Sequence, residues 1–283
     1  MRHPRASESM DDEYRATNRA NWNERVAVHP DTDYYDLEGF LDGESSLYPM
    51  EREELADVVD ADTTLLHPMC HFGMDTLSWA RECEAVVGVD FSPAAVEKAR
   101  DLATEAGIEN ATFVEGDVLD LDLDREFDVV FNTFGVVGWL DDLDALAETV
   151  VSHLRDGGTY YLADVHPFTE PFHDVDSDGC QFGDWGFSYF REGPLHLDAD
   201  GSYADPEQSF EHTETVQFVH TMGEIVTALC DAGLDIEFLH DHPWADFPMY
   251  DGMKRDDDGL WWLPDDVPVE VPLTFSLRAK KPV

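Results

Sequence analysis

Residues 65 to 80 read LLHPMCHFGMDTLSWA, a stretch that opens as an apolar strand and continues as a helix, with Gly73 at the joint. Free backbone amides at the start of a helix attract an anion, so Met69, Cys70, His71 and Gly73 are placed to meet a carboxylate or phosphate. Asp90 closes the next apolar run, AVVGVD, about 17 to 20 residues further on. At that place an acidic side chain accepts hydrogen bonds from both hydroxyls of a ribose. A third run, ATFVEGD, delivers Asp117 and then Val118. A carboxylate followed by a backbone amide suits the exocyclic amine and ring nitrogen of adenine. The three strand ends together describe an adenosine site with an anionic end.

Such side chains converge when the strands lie side by side and parallel, with a helix returning the chain each time. PMEREELADVVD reads as a short amphipathic helix, TTLLHPM as a strand, MDTLSWARECE as a helix and AVVGVD as a second strand. Ser92 caps the next helix, with Pro93 in its first turn and Gly107 at its stop. ATFVEGD is a third strand and FDVVFN a fourth, ending at Asn132. LDALAETVVSHLRDGG is a helix closed by two glycines, and TYYLADV a fifth strand. From residue 166 to 217 the rhythm gives way to aromatics, Asp and Gly, with LHLDADGSYAD expected as a hairpin turning at Ala199 to Gly201. HTMGEIVTALCDAGL is a helix, DIEFLH a strand, and VPLTFSLRAKK a last strand after a Pro- and Trp-rich connection. The expected organisation is an N-terminal arm or cap over 1–49 and one α/β domain over 50–283. Within it, residues 166–217 form a lid-like insertion over the edge of the site.

Charge narrows the setting. Seventeen basic residues against 63 acidic ones give a formal net charge of −46. At about 1 M salt the Debye length falls to roughly 3 Å, so a coat of this kind suits a salt-rich cytosol. The same field disfavours nucleic acid as a partner in dilute salt. No run approaches the roughly 20 apolar residues that span a bilayer, and the first residues hold no apolar core of signal-peptide length. No membrane partner is expected, and the cytoplasm is the expected location. Cys70, Cys83, Cys180 and Cys230 form no CxxC pair and read as reduced, mostly buried thiols, with no metal site.

The blocks LLHPMCHFG, GVDFSP, EGDV and FDVVFNTFG, in this order, resemble class I S-adenosylmethionine-dependent methyltransferases over roughly residues 50 to 165, and strands in 234 to 280 fit the same topology. CHFGxDTLSWAR resembles the first motif of one branch of that family, and the acidic coat points to a haloarchaeal source. The resemblance implies a Rossmann-like, seven-stranded, mostly parallel sheet with an antiparallel last strand and helices on both faces. It also implies S-adenosylmethionine as cofactor. Cys70, His71 and Gly73 would lie along its methionine part, and Asp90 and Phe91 at the ribose and adenine. Asp117 and Val118 would meet the adenine, with Asn132 and Phe134 near the sulfonium. The family's usual acidic residue and GxGxG are replaced, with His67 at the acid's place and Met69 and His71 at two glycines. Met and His are strained at positive φ, so a wider turn is expected, with His71 able to meet the methionine carboxylate.

Methyl transfer is an in-line displacement that asks the protein to align an acceptor, exclude water and sometimes remove a proton. Candidate bases are His166, with Asp164 nearby, and His220. Trp22, Tyr34, Tyr35, Trp185, Tyr189 and Trp244 are candidates to line an acceptor pocket. NTFG at 132 to 135, in place of the NPPY of many base-amine methylating enzymes, favours a small-molecule acceptor. Two alternatives stand beside this reading. One is a non-catalytic S-adenosylmethionine-binding protein. The other is an NAD(P)-dependent oxidoreductase, which His71 and Phe72 disfavour because pyrophosphate needs close backbone approach.

Overall fold

An apolar strand buried on both faces requires a helical layer on each side. The computed structural model describes residues 8–172 and 186–283. In it the apolar runs become β1 (Thr64–Pro68), β2 (Ala85–Asp90), β3 (Ala111–Glu115), β4 (Phe127–Thr133) and β5 (Leu154–Val165). With β8 (Asp235–His242) and β12 (Thr274–Lys280) they form a seven-stranded sheet in the order β3-β2-β1-β4-β5-β12-β8. The pairings of β12 with β5 and β8 are antiparallel, and the others are parallel. This is the Rossmann-like sheet with an antiparallel last strand that the sequence led us to expect.

Alternation along each strand divides the core into two layers. Leu66, Val87, Val130 and Tyr160 face α6 (Leu143–His153) and α7 (Met222–Asp231), meeting Leu146, Val150, Ile225 and Leu229. Their neighbours Leu65, Val86, Val129 and Tyr161 face the other way, toward Leu55 of α3 (Pro49–Leu55) and Trp79 of α4 (Met74–Ala80). On α5 (Pro93–Glu105), the Ser92 side chain accepts from the Ala95 amide as read from the sequence. Thr221 and Glu224 form a reciprocal capping box on α7.

Three boundaries differ from the sequence reading. The helix before β5 stops at His153, and LRDGG belongs to the strand. Leu154 pairs with Phe127, the Gly157 and Gly158 backbones bond to Lys281, and the Lys281 ammonium donates to the Val151 and Leu154 carbonyls, which ends the helix early. LHLDADGSYAD is not a tight hairpin. β6 (Pro194–Asp198) pairs instead with the distant β7 (Glu214–Phe218), and the connection is held by Asp200, which accepts from Phe210 N and Ser209 Oγ. The Pro- and Trp-rich connection folds into a small antiparallel sheet of β9 (Trp244–Ala245), β10 (Lys254–Arg255) and β11 (Trp261–Trp262), in the order β10-β11-β9.

Ahead of the sheet lie α1 (Glu8–Arg25) and the short α2 (Leu37–Leu41). Asn18 on α1 bonds to Val216 of β7 in both directions, Nδ2 donating to O at 2.7 Å and Oδ1 accepting from N at 2.8 Å. The N-terminal helix and the β6-β7 pair are thereby joined. Among the described residues no helix is long and apolar enough to cross a membrane.

Candidate active site

The chain winds outward from β1 through β2 to β3, then returns to β4 and β5 on the other side. Ligands of open α/β sheets sit beyond the carboxyl ends of the strands at this reversal. A cavity of about 1060 Å³ lies there, lined by the ends of the strands, by Tyr14, Arg15 and Trp22 of α1, and by residues near 34–48, 195–203 and 246–249.

The turn after β1 is left-handed at alternate residues: φ is +58° at Met69, +52° at His71 and +84° at Gly73. The expected widening does not occur. The backbone keeps these angles with two side chains in place of glycines, at about 1–2 kcal/mol each. Gly73 is the position that admits no substitute, since a Cβ there would come within 2.7 Å of the Phe113 ring. Three amides of this turn are engaged within the protein, ahead of the first amides of α4. Cys70 N donates to Val89 O, His71 N to Asp90 Oδ2 and Gly73 N to Cys70 O, at 3.0, 2.8 and 3.0 Å.

The His71 imidazole is engaged as well. Its Nε2 lies 3.0 Å from His29 Nδ1, and His29 Nε2 lies 3.2 Å from Ser202 Oγ. Trp22, Tyr35 and Phe72 rings surround it. Desolvation holds His71 well below the ordinary histidine range and His29 at about 3, so both are neutral near pH 7. A neutral imidazole with Nε2 committed does not serve as a cation for a carboxylate. His67 behind the turn is buried and neutral too, depressed to about 3 by desolvation, with Nδ1 2.9 Å from Thr76 Oγ1. The Cys70 thiol lines the cavity, and burial pushes it well above its ordinary value.

Asp90 lines the cavity, with Oδ2 accepting from His71 N at 2.8 Å and Oδ1 from Ser92 N at 2.9 Å. A carboxylate has about four acceptor positions, so each oxygen keeps room for a ligand hydroxyl. Desolvation raises it to about 7. Phe91 lines the same wall, with the Arg19 guanidinium 5.8 Å from its ring centre. Asp117 accepts from Leu119 N at 3.0 Å, and Val118 packs into the core beside it. Arg15 closes over this end, with Nε 3.4 Å from Asp117 and Nη1 2.8 Å from Asp120. Phe134 lines the cavity edge-on to Tyr48. Asn132 does not line it. It is fully buried, and its Nδ2 donates to Pro68 O at 2.7 Å, binding β4 to the end of β1.

The two candidate histidines lie elsewhere. His166 Nδ1 accepts from Phe168 N at 3.0 Å, and its Nε2 is 3.3 Å from Asp241 on β8. His220 Nε2 donates to Leu140 O at 2.6 Å. Neither is among the cavity residues. Asp164 reaches the cavity but is spent as a clamp, accepting from the amides of Gly135, Val136, Val137 and Val165 at 2.8–2.9 Å. Of the candidate pocket aromatics, Trp22, Tyr34 and Tyr35 line the cavity. Tyr189 accepts instead from Met222 N and Trp244 stacks near His242, both away from it. Trp185 and Cys180 lie outside the described residues. Of the other cysteines, Cys70 and Cys83 are buried and Cys230 is exposed.

Sequence reasoning passed over Arg15, Asp75, Glu170, Tyr203 and Asp246, which also line the cavity. Desolvation raises Asp75 to about 6 and Glu170 and Asp246 to about 7. Asp75 accepts from Ser46 Oγ at 2.6 Å. Among 63 acidic residues, nothing local marks these three as different.

Residues 66–158, which include the left-handed turn, Asp90 and Asp117, match the family described as Methyltransferase domain. The chain carries a methyltransferase domain. A dTDP-3-amino-3,4,6-trideoxy-alpha-D-glucopyranose N,N-dimethyltransferase of Streptomyces venezuelae is 28% identical over 231 residues, covering 75% of this chain and 92% of that protein. An S-adenosylmethionine-dependent methyltransferase of Clostridium acetobutylicum has a similar fold, with TM-score 0.60 at 15% identity over 93% of this chain and 99% of its own. A glycopeptide N-methyltransferase complexed with sinefungin gives TM-score 0.53 at 15% identity, covering 85% and 89%. The methyltransferase is of class I, and S-adenosylmethionine is its cofactor. A cavity of about 1060 Å³ is large enough for that cofactor beside a small acceptor, and Asp90 retains the acceptor capacity a ribose requires.

Proposed function

We propose that the protein transfers a methyl group from S-adenosylmethionine to a small-molecule acceptor held in this same cavity. The observation that carries the reading is the left-handed turn at residues 69, 71 and 73, with Asp90 and Asp117 on the neighbouring strand ends around one cavity. Bound there, the cofactor would supply an activated methyl on a sulfonium. Asp90 would accept the ribose hydroxyls, Phe91 and Val118 would flank the adenine, and Asp117 would face its amine. Cys70, Gly73 and Phe134 would lie along the remainder. The curated relative, by its name, dimethylates the nitrogen of a nucleotide-linked amino sugar, which fits a small acceptor.

In this reading residues 1–49 are a cap and 166–217 an insertion over the edge of the site, since Asn18 ties the one to the other. The acidic coat of net charge −46 is an adaptation to a salt-rich cytoplasm of the haloarchaeal kind, and it disfavours nucleic acid as acceptor. The test is calorimetric titration in about 2 M KCl, which screens the coat, with S-adenosylmethionine, S-adenosylhomocysteine and NAD, repeated on Asp90→Ala. Micromolar binding of the first two, lost in the variant, supports the assignment. Binding of NAD alone would replace it with an oxidoreductase.

A further inference from the structure

The Asp246 side chain follows β9, lines the cavity and is 7% exposed. Its Oδ1 is buried with no hydrogen-bond partner among the described residues. A buried acceptor left unmet costs about 1–3 kcal/mol, more when charged. The residue is nevertheless held firmly, because the hydroxyls of Tyr34 and Tyr48 both donate to its backbone carbonyl at 3.3 Å. The tyrosine hydroxyls of Tyr35 and Tyr203 bond to each other. The two arginines along the cavity are engaged elsewhere, Arg15 with Asp117 and Asp120, and Arg255 Nε with Gly259 O. Asp75 and Glu170 line the same cavity and add negative field. Aromatic rings line the same cavity, among them Tyr34, Tyr35, Phe134 and Tyr203.

A carboxylate oxygen without a donor, in a negative field among aromatic rings, selects a ligand that brings both positive charge and N–H donors. We propose that the methyl acceptor is an amine, entering as its ammonium form and seating its nitrogen on Asp246. This rests on the methyl-transfer reading of the cavity. The ammonium gives one proton to the Asp246 carboxylate. Its freed lone pair forms the N–C bond as the C–S bond of the cofactor breaks, S-adenosylhomocysteine leaves, and the proton passes to solvent. A carboxyl held at about 7 both takes and releases a proton near neutrality. An alcohol of the same shape brings one donor and no charge.

The experiment uses calorimetry on the protein saturated with S-adenosylhomocysteine. The probes are phenethylamine, glucosamine and 1,4-diaminobutane, each against its hydroxyl counterpart, phenethyl alcohol, glucose and 1,4-butanediol. We expect at least one amine to bind tenfold or more tightly than its counterpart, and Asp246→Asn to erase the difference while leaving S-adenosylhomocysteine affinity unchanged. Equal binding of every pair, or a preference that survives Asp246→Asn, overturns the amine assignment alone. Failure of wild-type protein to bind S-adenosylhomocysteine removes the methyl-transfer reading, and this proposal with it.

Discussion

His29 Nδ1 and His71 Nε2 lie 3.0 Å apart, so the turn after β1 is fastened to the segment that follows α1. Both rings are neutral, and His29 is fully buried with its ordinary 6.5 depressed to about 3. In acid the unfolded chain takes up a proton at His29 that the native state refuses. The stability this residue contributes is whole above pH 6.5 and is lost as pH falls toward 3. At pH 5 the loss is about 2 kcal/mol. Urea unfolding of wild type and His29→Asn at pH 7 and pH 5, in about 2 M KCl, reads it as the difference between the two proteins. The wild type should lose about 2 kcal/mol more than the variant.

Asp246 titrates in the opposite sense. Its ordinary 3.8 is raised to about 7, so the native state holds a proton that the unfolded chain has already released. Its contribution is whole below pH 3.8 and is lost as pH rises through 7. Asp246→Asn should match wild type in stability at pH 4 and exceed it at pH 8, by at most roughly 4 kcal/mol. Thermal unfolding at the two pH values checks this, and an advantage that does not grow with pH contradicts the desolvated state of the carboxyl.

Gly73→Ala places a methyl 2.7 Å from the Phe113 ring at a φ of +84°. The combined strain and overlap should cost about 2–4 kcal/mol, a fall in Tm of roughly 4–16 °C. Cofactor affinity should fall with it. Met69→Gly relieves strain without adding an atom and should leave Tm within a few degrees, which separates the steric demand at 73 from the backbone demand at 69.

Asp164→Ala leaves three amides of the loop after β4, those of Gly135, Val136 and Val137, and the Val165 amide of β5 without their acceptor. The expected loss is roughly 3–5 kcal/mol. Hydrogen exchange at Gly135, Val136 and Val137 should accelerate in the variant well beyond the change at Val129 and Val130, which remain in β4. Uniform acceleration would mean that the carboxylate holds no particular segment.

The net charge of −46 gives a salt prediction. Melting temperature should climb steeply from dilute buffer to molar KCl as the Debye length shrinks to about 3 Å. A flat profile would remove the salt-adapted reading of the coat.

The sheet was legible because each central strand is a short apolar run ended by a turn residue, a pattern written within a few neighbours. Asp90 ends β2 and Asp117 follows β3 by two residues, so the same pattern brings both to the cavity. Asn132 stood in the same pattern, yet it turns inward to hold Pro68. A strand end fixes where a residue lies but not which face its side chain takes. Asp246, Tyr34 and Tyr48 meet over about 200 residues of chain, and Asn18 finds Val216 over a similar span. Such contacts leave no periodicity to read. His166 was drawn into the site by its place after β5, but its ring swings to Asp241 on the far side of β12.

The left-handed Met69 and His71 alter how the loop answers a ligand. Glycine at such angles leaves a segment many accessible conformations, which ligand binding must then freeze. Met and His, once forced into the same angles, have few others to visit, so the ordering is completed during folding rather than on encounter. Cofactor binding here should therefore carry a smaller entropic penalty than in a Met69→Gly, His71→Gly double variant. The loop is preorganised by the very residues that strain it.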